Sequence, residues 1–261
     1  MTTESDEQRA QAKLIEIAEF ATRLIDRSGT PEGFNIQPGS PLAVDDSLSS
    51  PYQVSFAARA CLTTAIDHLH AACALVLKTG FLHVAAPATV VRGVLECAST
   101  ALWMLAPAAS EERITRGLRW YIKDVSDGDK AATEIGISVP TPLQKRKDKI
   151  KAVADARGLP FDTIKRGYSS TEAVTAAKTH LDSQHPLDVL FYWRLCSGFA
   201  HGRAWPMLGF AEVLEKLPTA DPTVSMTKTE NTYERVLALT MTAALTTKSA
   251  VVLYDKLGTA P

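Results

Sequence analysis

Hydrophobic residues recur at three- and four-residue steps along most of this chain. Between residues 8 and 27, Leu14, Ile17 and Leu24 share one side of a predicted helix, and charged residues fill the other sides. The same spacing predicts further helices over residues 51–79, 83–106, 110–127, 144–157, 170–182, 186 to about 200 or 203, and 230–256. No segment alternates strongly enough to build a large sheet. The pattern therefore predicts an all-α protein, a bundle of four to five long helices with short accessory helices.

Three segments interrupt this pattern. Residues 28–52, rich in Pro, Gly and Ser, are expected to form a linker or draped loop, and residues 128–142 a break between helices. Residues 204–229 are the least helical, and within them residues 208–214 and 223–227 either form a small β-hairpin or are irregular. Pro51 and Pro186 are expected to start the helices that follow them. The predicted division is an N-terminal helix and linker, residues 1–50, and a helical bundle domain, residues 51–261.

Composition narrows the class of protein without naming a function. The chain has 261 residues, of which 46% are hydrophobic and 22% charged, and its net charge is -1. These values exclude a disordered or disulfide-dense chain and a wholly basic protein that coats nucleic acid. Its four cysteines form no CxxC pair and lie in apolar helical segments, which predicts reduced, buried thiols. The N-terminus is acidic and polar, and charges interrupt the apolar segments, so we expect a cytoplasmic protein without a membrane-spanning helix.

Charge is unevenly distributed along the chain. Residues 1–46 contain nine acidic and four basic side chains, a net charge of -5, whereas residues 141–167 contain eight basic and three acidic ones, a net charge of +5. The basic run at residues 145–151 is either a solvated helix face, with Ile150 and Val153 turned inward, or an RNA-contacting patch.

The familiar motifs for nucleotides, serine hydrolases and zinc proteases are absent, so we predict no cofactor. His68 and His70 are two residues apart and would face different directions on a helix. Further ligands are missing, so no metal site is predicted.

Two polar groups within the apolar helices suggest chemistry. Arg92 and Glu96 are the charged residues of segment 83–106, one helical turn apart, and are expected to pair with each other or across the bundle. In segment 191–203, Arg194, Ser197 and His201 would share one side of a helix. In the same segment, Gly198 and Gly202 would let another helix come close.

The spacing of Arg194 and His201, six residues between them, resembles the Rx4-6H motif of the HEPN superfamily. Many members of that superfamily are metal-independent ribonucleases in toxin, phage-defence or RNA-processing systems, and they usually form dimers that bring two motifs together. The step from Arg92 to Glu96 is similar to one in related bacterial helical proteins. One position departs from the pattern: active members often have a polar residue after the arginine, and here it is Leu195.

The resemblance implies a role for each matching residue. His201 would be the general acid/base for attack by an RNA 2′-hydroxyl, and Arg194 would hold the scissile phosphate. Ser197 would orient the histidine or donate to a phosphate oxygen. Further residues expected to bind substrate or support the site are Arg92, Glu96, Tyr192 and Arg203.

Two alternatives remain beside the ribonuclease. In the first, the chain is a non-catalytic helical module that binds a protein or ligand, and Arg194 and His201 are a structural core pair. Its binding surface would come from the acidic N-terminal segment and from residues 28–52 and 204–229. In the second, a small molecule binds inside the bundle around Arg92, Glu96 and Trp103.

Overall fold

The computed structural model describes residues 4–30, 32–182 and 188–261. Over these residues the chain forms eleven helices and one two-stranded sheet. In chain order the elements are α1 (Glu4–Ser28), α2 (Pro41–Ser49), α3 (Val54–Thr79), α4 (Ala86–Leu105), α5 (Ser110–Glu134), α6 (Leu143–Asp155), α7 (Phe161–Ile164), α8 (Ser170–Leu181), α9 (Val189–Ala200), α10 (Ala204–Gly209), β1 (Glu212–Pro218), β2 (Ser225–Glu230) and α11 (Tyr233–Gly258). The predicted predominance of helix and the small hairpin are confirmed. The arrangement of the long helices as one bundle and the boundary at residue 50 stay predictions.

Residues 28–52 contain a helix where the sequence predicts a linker or draped loop. Ser40 caps α2, and its hydroxyl accepts a hydrogen bond from the backbone N–H of Ala43 at 3.2 Å. Pro41 follows at the first helical position, where its missing N–H costs nothing. A proline and a serine are therefore the start signal of a helix here, although the same residues in a Pro/Gly-rich segment indicate a loop.

Three other predicted boundaries need correction or lie outside the described residues. The predicted break at residues 128–142 is shorter in the structure, residues 135–142: helix α5 continues to Glu134, because an interior glycine such as Gly128 costs a helix only about 1 kcal/mol. Helix α3 begins at Val54, so Pro51 precedes it and does not lie in its first turn. Pro186, expected to start another helix, lies outside the residues that the structure describes.

The hairpin is antiparallel and mostly solvent-exposed. Strands β1 and β2 pair from Glu212 opposite Glu230 to Pro218 opposite Ser225, with an irregularity between Val213 and Glu215. Both strands lie a few residues C-terminal to the positions expected from the sequence.

The chain divides into two compact units, each discontinuous in sequence. The first comprises Met1–Gly33, Thr63–Ala98 and Leu181–Lys248. Its core includes buried Leu14, Val76 and Val236, one from each of α1, α3 and α11. It also contains α9, α10 and the hairpin, and therefore every residue of the Arg194–His201 segment.

The second unit comprises Phe34–Leu62, Ser99–His180 and Ser249–Pro261. A buried ion pair joins α2 to α5: Arg113 Nε donates to Asp45 Oδ2 at 2.6 Å, and Arg113 Nη1 donates to the carbonyls of Pro107 and Ala108 at 3.0 and 2.8 Å. Ser110 adds a hydrogen bond to the same carboxylate at 2.5 Å. Because both charges are satisfied by several partners, we interpret this ion pair as a structural link between α2 and α5.

Three helices have the length and apolar composition needed to cross a membrane: Val54–Thr79, Ala86–Leu105 and Tyr233–Gly258. In the sequence, scattered charges argue against a membrane-spanning segment. These three helices are nevertheless apolar enough, by length and composition, to count as candidate spans. The expected cytoplasmic location stays a prediction.

Candidate functional site

A glycine cap at the end of α9 fixes the position of His201. Gly202 adopts a φ of +61°, a conformation that favours glycine, and its N–H donates to the carbonyl of Phe199 at 3.1 Å. The N–H of Arg203 donates to the carbonyl of Gly198 at 2.9 Å. These two hydrogen bonds form a Schellman motif, so the helix ends one residue before His201, which takes the cap position.

One side of α9 contacts α4 through a four-residue hydrogen-bond network. Arg92 Nη2 donates to Glu96 Oε1 at 2.8 Å, and Arg92 Nε donates to the hydroxyl of Ser197 at 2.8 Å. The indole Nε1 of Trp193 donates to the same Glu96 oxygen at 3.0 Å. Trp193 and Ser197 are one helical turn apart, so both reach α4. The predicted pairing of Arg92 with Glu96 is confirmed.

This network is only partly shielded from water, and of the two thiols beside it Cys196 is buried and Cys97 is half-buried. The side chains of Arg92 and Glu96 are 31% and 23% exposed. Burial raises the pKa of the Cys196 thiol to about 12, although Arg92 acts in the opposite direction. Burial and the charge of Glu96 raise the pKa of Cys97 to about 11. Both thiols are therefore protonated at neutral pH and do not act as nucleophiles.

Next to this network, α9 presents the two motif residues to solvent. Arg194 and His201 are both exposed, and their side chains make no hydrogen bond or ion pair with any residue that the structure describes. They are seven residues apart, about two turns, and so lie on the same side of the helix. Arg203, which is also exposed, follows the glycine cap. A guanidinium and an imidazole placed in this way are accessible to an anion.

The structure divides the polar stripe that the sequence predicts. Ser197 is half-buried, and its hydroxyl accepts the hydrogen bond from Arg92, so its side chain is turned towards α4. A hydroxyl that accepts one hydrogen bond still has its own hydrogen to donate. Ser197 therefore joins α9 to α4, and its contact with His201 or a phosphate stays a prediction.

Helix α10 packs against α9 at Gly198. A Cβ atom on Gly198 would lie 2.6 Å from Pro206 Cγ and 2.9 Å from Trp205 Cζ2, so the close approach requires glycine at this position. The expectation that another helix comes close is thus confirmed at Gly198. At Gly202 the structure shows the helix cap, with nothing within 4 Å of an added Cβ.

The sequence indicates Tyr192 as a supporting residue but does not single out its neighbour Trp193. Tyr192 is half-buried, its ring packs edge-on against Phe191 with centroids 5.2 Å apart, and burial raises its pKa. Trp193 instead joins the network at Glu96. A half-buried indole N–H needs an acceptor, and a tryptophan one turn before Ser197 was the signal that could have identified it.

His68, one of the two histidines considered above, packs against α4 at Gly93. His68 Nδ1 is buried with no hydrogen-bond partner in the described part of the chain, and it would lie 2.9 Å from a Cβ on Gly93. Within residues 4–30, 32–182 and 188–261, no three metal-ligating side chains come together.

Trp103, the third residue of the suggested small-molecule site, is enclosed by other side chains. Its ring stacks on Tyr168 with centroids 5.1 Å apart, and the guanidinium carbons of Arg116 and Arg119 lie 5.5 and 5.1 Å from its ring centroid. The ring is 2% exposed, so it is packed in the second unit.

Basic helix α6 has paired charges and an inward apolar side. Ile150 is fully buried, as predicted. Within the basic run at residues 145–151, Lys151 pairs with Asp155 at 2.5 Å, and Arg146 pairs with Asp129. Lys145, Lys147 and Lys149 form no ion pair with a described residue, so the solvated helix face and the RNA-contacting patch both stay predictions.

Comparison with known proteins gives no relative. No protein-family model matches the chain. No curated protein and no solved structure matches it either. Any functional conclusion therefore depends on the residues of this chain.

Proposed function

We propose that this protein is a HEPN-like, metal-independent RNA endonuclease of the toxin or defence type that acts as a homodimer. The observation that carries the proposal is the exposure of Arg194 and His201 on one side of α9, without a side-chain partner among the described residues. A pair that served only folding would be held by partners, as Arg92 and Glu96 are. The Rx4-6H spacing supplies the class of reaction.

His201 is the general acid/base of the proposed reaction. Its neutral imidazole accepts the proton of an RNA 2′-hydroxyl while that oxygen attacks the adjacent phosphorus. The bond from phosphorus to the 5′ oxygen breaks, and the leaving oxygen takes a proton from the His201 imidazolium, which returns to its neutral form. The products are a 2′,3′-cyclic phosphate and a 5′-hydroxyl. Imidazole suits both proton transfers because it titrates near neutral pH.

Arg194 binds the phosphate that reacts. A guanidinium presents a planar fork of N–H donors that matches two phosphate oxygens, and it stabilises the charge that develops in the transition state. Arg203 adds a second exposed cation on the same segment. Arg92 and Glu96 are positioning residues, because they hold α9 through Ser197 and Trp193.

Cleavage of RNA in the presence of EDTA tests this proposal. We expect the parent protein to cleave, His201→Ala to lose about 10²- to 10⁴-fold in rate, and Arg194→Ala about 10²- to 10³-fold. Arg23→Ala, at an exposed position of α1, is the matched control and should cleave as the parent does. Products should carry cyclic phosphate ends. A folded parent that leaves RNA intact, or two folded variants that retain cleavage, would contradict the proposal.

A non-catalytic binding module is the second candidate, and the hairpin favours it. Leu214, Leu217, Val224 and Met226 are all exposed apolar residues of the hairpin segment. Contiguous exposed apolar surface is typical of a protein contact site. Under this alternative, Arg194→Ala and His201→Ala proteins keep their partner, whereas a Leu217→Ser/Met226→Ser protein loses it.

A further inference from the structure

Trp205 combines exposure with a fixed position. Its side chain is 51% exposed, although indole rings usually bury most of their surface. The following residue, Pro206, is buried against α9. Just after α10, Phe210 packs edge-on against Phe199, with ring centroids 6.3 Å apart. The contacts of Pro206 and Phe210 with α9 therefore anchor the short helix that carries the exposed indole.

The indole packs on α9 within one helical turn of each motif residue. Trp205 Cζ2 is 2.9 Å from the position that a Cβ of Gly198 would take, so the ring covers this point of α9. Gly198 is four residues after Arg194 and three before His201. Positions at these spacings are neighbours on a helix surface. The ring therefore covers a position that borders both motif residues on the surface of α9.

We propose that Trp205 is a base-stacking residue of this site and that the substrate is single-stranded RNA. The inference rests on the proposed function, because it takes Arg194 as the phosphate ligand and His201 as the proton carrier. A nucleotide that stacks its base on Trp205 places its own phosphate next to Arg194. Stacking on an aromatic ring tolerates every base, so recognition would be of unpaired nucleotides and not of one sequence.

The preference for single-stranded over duplex RNA follows from the same geometry. Base faces in an A-form duplex are covered by the neighbouring base pairs, whereas bases in loops and single strands can leave their stack and lie on a protein ring. A fixed, half-exposed indole has nothing to stack with on a duplex. Single-stranded segments and loops are therefore the substrates that this arrangement recognises.

A fluorescein-labelled 2′-O-methyl decanucleotide is the probe for the test, because without a free 2′-hydroxyl it binds but is not cleaved. We expect Trp205→Ala to weaken its binding at least tenfold in fluorescence anisotropy, and Trp205→Phe to restore most of the loss. Phe81→Ala, at another exposed aromatic residue, is the matched control and should bind as the parent does. The same probe in a duplex should bind weakly to parent and Trp205→Ala alike.

A second variant leaves the indole in the chain. Gly198→Ala adds a Cβ under 3.0 Å from atoms of both Trp205 and Pro206, so α10 must shift. We expect this protein to bind the probe less tightly than the parent, with the tryptophan still present. Thermal unfolding of each variant separates loss of binding from loss of fold.

Several outcomes would overturn the proposal. Equal binding of the single-stranded probe by parent and folded Trp205→Ala would do so, as would a parent that does not bind it. A Trp205→Ala protein that binds normally but changes from dimer to monomer would make the residue a subunit contact. Failure of the proposed function has a different signature: the parent binds the probe through Trp205 but leaves unmodified RNA uncleaved.

Discussion

Neighbouring positions on α9 place polar side chains in opposite situations. On the side that contacts α4, Ser197 and Trp193 are half-buried and are hydrogen-bonded to Arg92 and Glu96. At the solvent-facing positions beside them, Arg194 and His201 are exposed and make no side-chain hydrogen bond within the described ranges. Helix α9 and its cap residue His201 thus contribute both to a satisfied polar network and to an accessible pair of functional groups.

The difference separates polar groups that support the fold from polar groups that are free for a ligand. A partly buried charge with several partners contributes to stability, and its removal leaves another group without a partner. An exposed charge contributes little to stability, so its removal should change binding or catalysis alone. Four measurements can break or sharpen this comparison.

The largest expected effect is the protection of Cys196 from alkylation. Its pKa of about 12 lowers the thiolate fraction at pH 8 about a thousandfold relative to an ordinary cysteine, so iodoacetamide should react that much more slowly. The rate should rise about tenfold for each pH unit. Because the folded protein holds this thiol proton more tightly than the unfolded chain, stability should fall as the pH rises above about 9.

Mass spectrometry of the modified peptide measures this protection, and the urea-unfolded protein is the control. Rapid labelling of Cys196 in the native protein at pH 8 would show that the side of α9 next to α4 is open.

The next largest effect is expected for Glu96→Ala. This change removes the acceptor of Arg92 Nη2 and of the Trp193 indole, and it leaves the Arg92 charge without its carboxylate at a site where that side chain is 31% exposed. Breaking a fully buried pair costs about 3–5 kcal/mol, so with partial exposure we expect a loss of about 2 kcal/mol in the free energy of unfolding. Urea unfolding measures it.

Glu96→Gln is the matched control for that variant. It keeps an oxygen acceptor for the Trp193 indole and loses only the charge, so its loss of stability should be about half as large. Equal stability of Glu96→Ala and the parent would mean that the network does not hold α9 in solution.

Local patterns in the sequence predicted the Arg92–Glu96 pair and the long helices well. Arg92 and Glu96 are one turn apart on one helix, so their pairing follows from helical spacing alone, and α4 itself follows from its apolar periodicity. The amphipathic pattern likewise placed all the long helices to within a few residues, except the C-terminal end of α5. These features depend on neighbours within two turns, which a single sequence displays.

The features that the sequence did not predict depend on distant neighbours. Trp193 meets Glu96 across 97 residues, and Arg92 reaches Ser197 across 105, so no local spacing separates Ser197 from the Arg194 stripe. Trp205 lies in a segment expected to be the least helical, and its position depends on Gly198 and the turn at Gly202. Helix α2 was missed because Ser40 and Pro41 are consistent with a loop as well as with a helix start.

A smaller effect is expected for Ser197→Ala. The change removes the acceptor of Arg92 Nε, which is only partly shielded and can turn to water, so the loss should be about 1 kcal/mol. A double-mutant cycle with Arg92→Ala isolates this contact, and a coupling energy above about 0.5 kcal/mol is expected. Additive losses from the two changes would show that the hydrogen bond contributes nothing to stability.

The smallest expected effect on stability is that of Arg194→Ala. Its side chain is exposed and bonds to nothing in the described part of the chain, so the free energy of unfolding should change by less than about 0.5 kcal/mol. For a chain of this length that is a melting shift of at most about 2 °C. A larger fall would mean that Arg194 has a structural contact and would remove the main support for an accessible functional pair. An unchanged melting temperature together with lost RNA cleavage would show that Arg194 serves function and not folding. The α9 residues that are bonded to α4 would then be the ones that matter for folding.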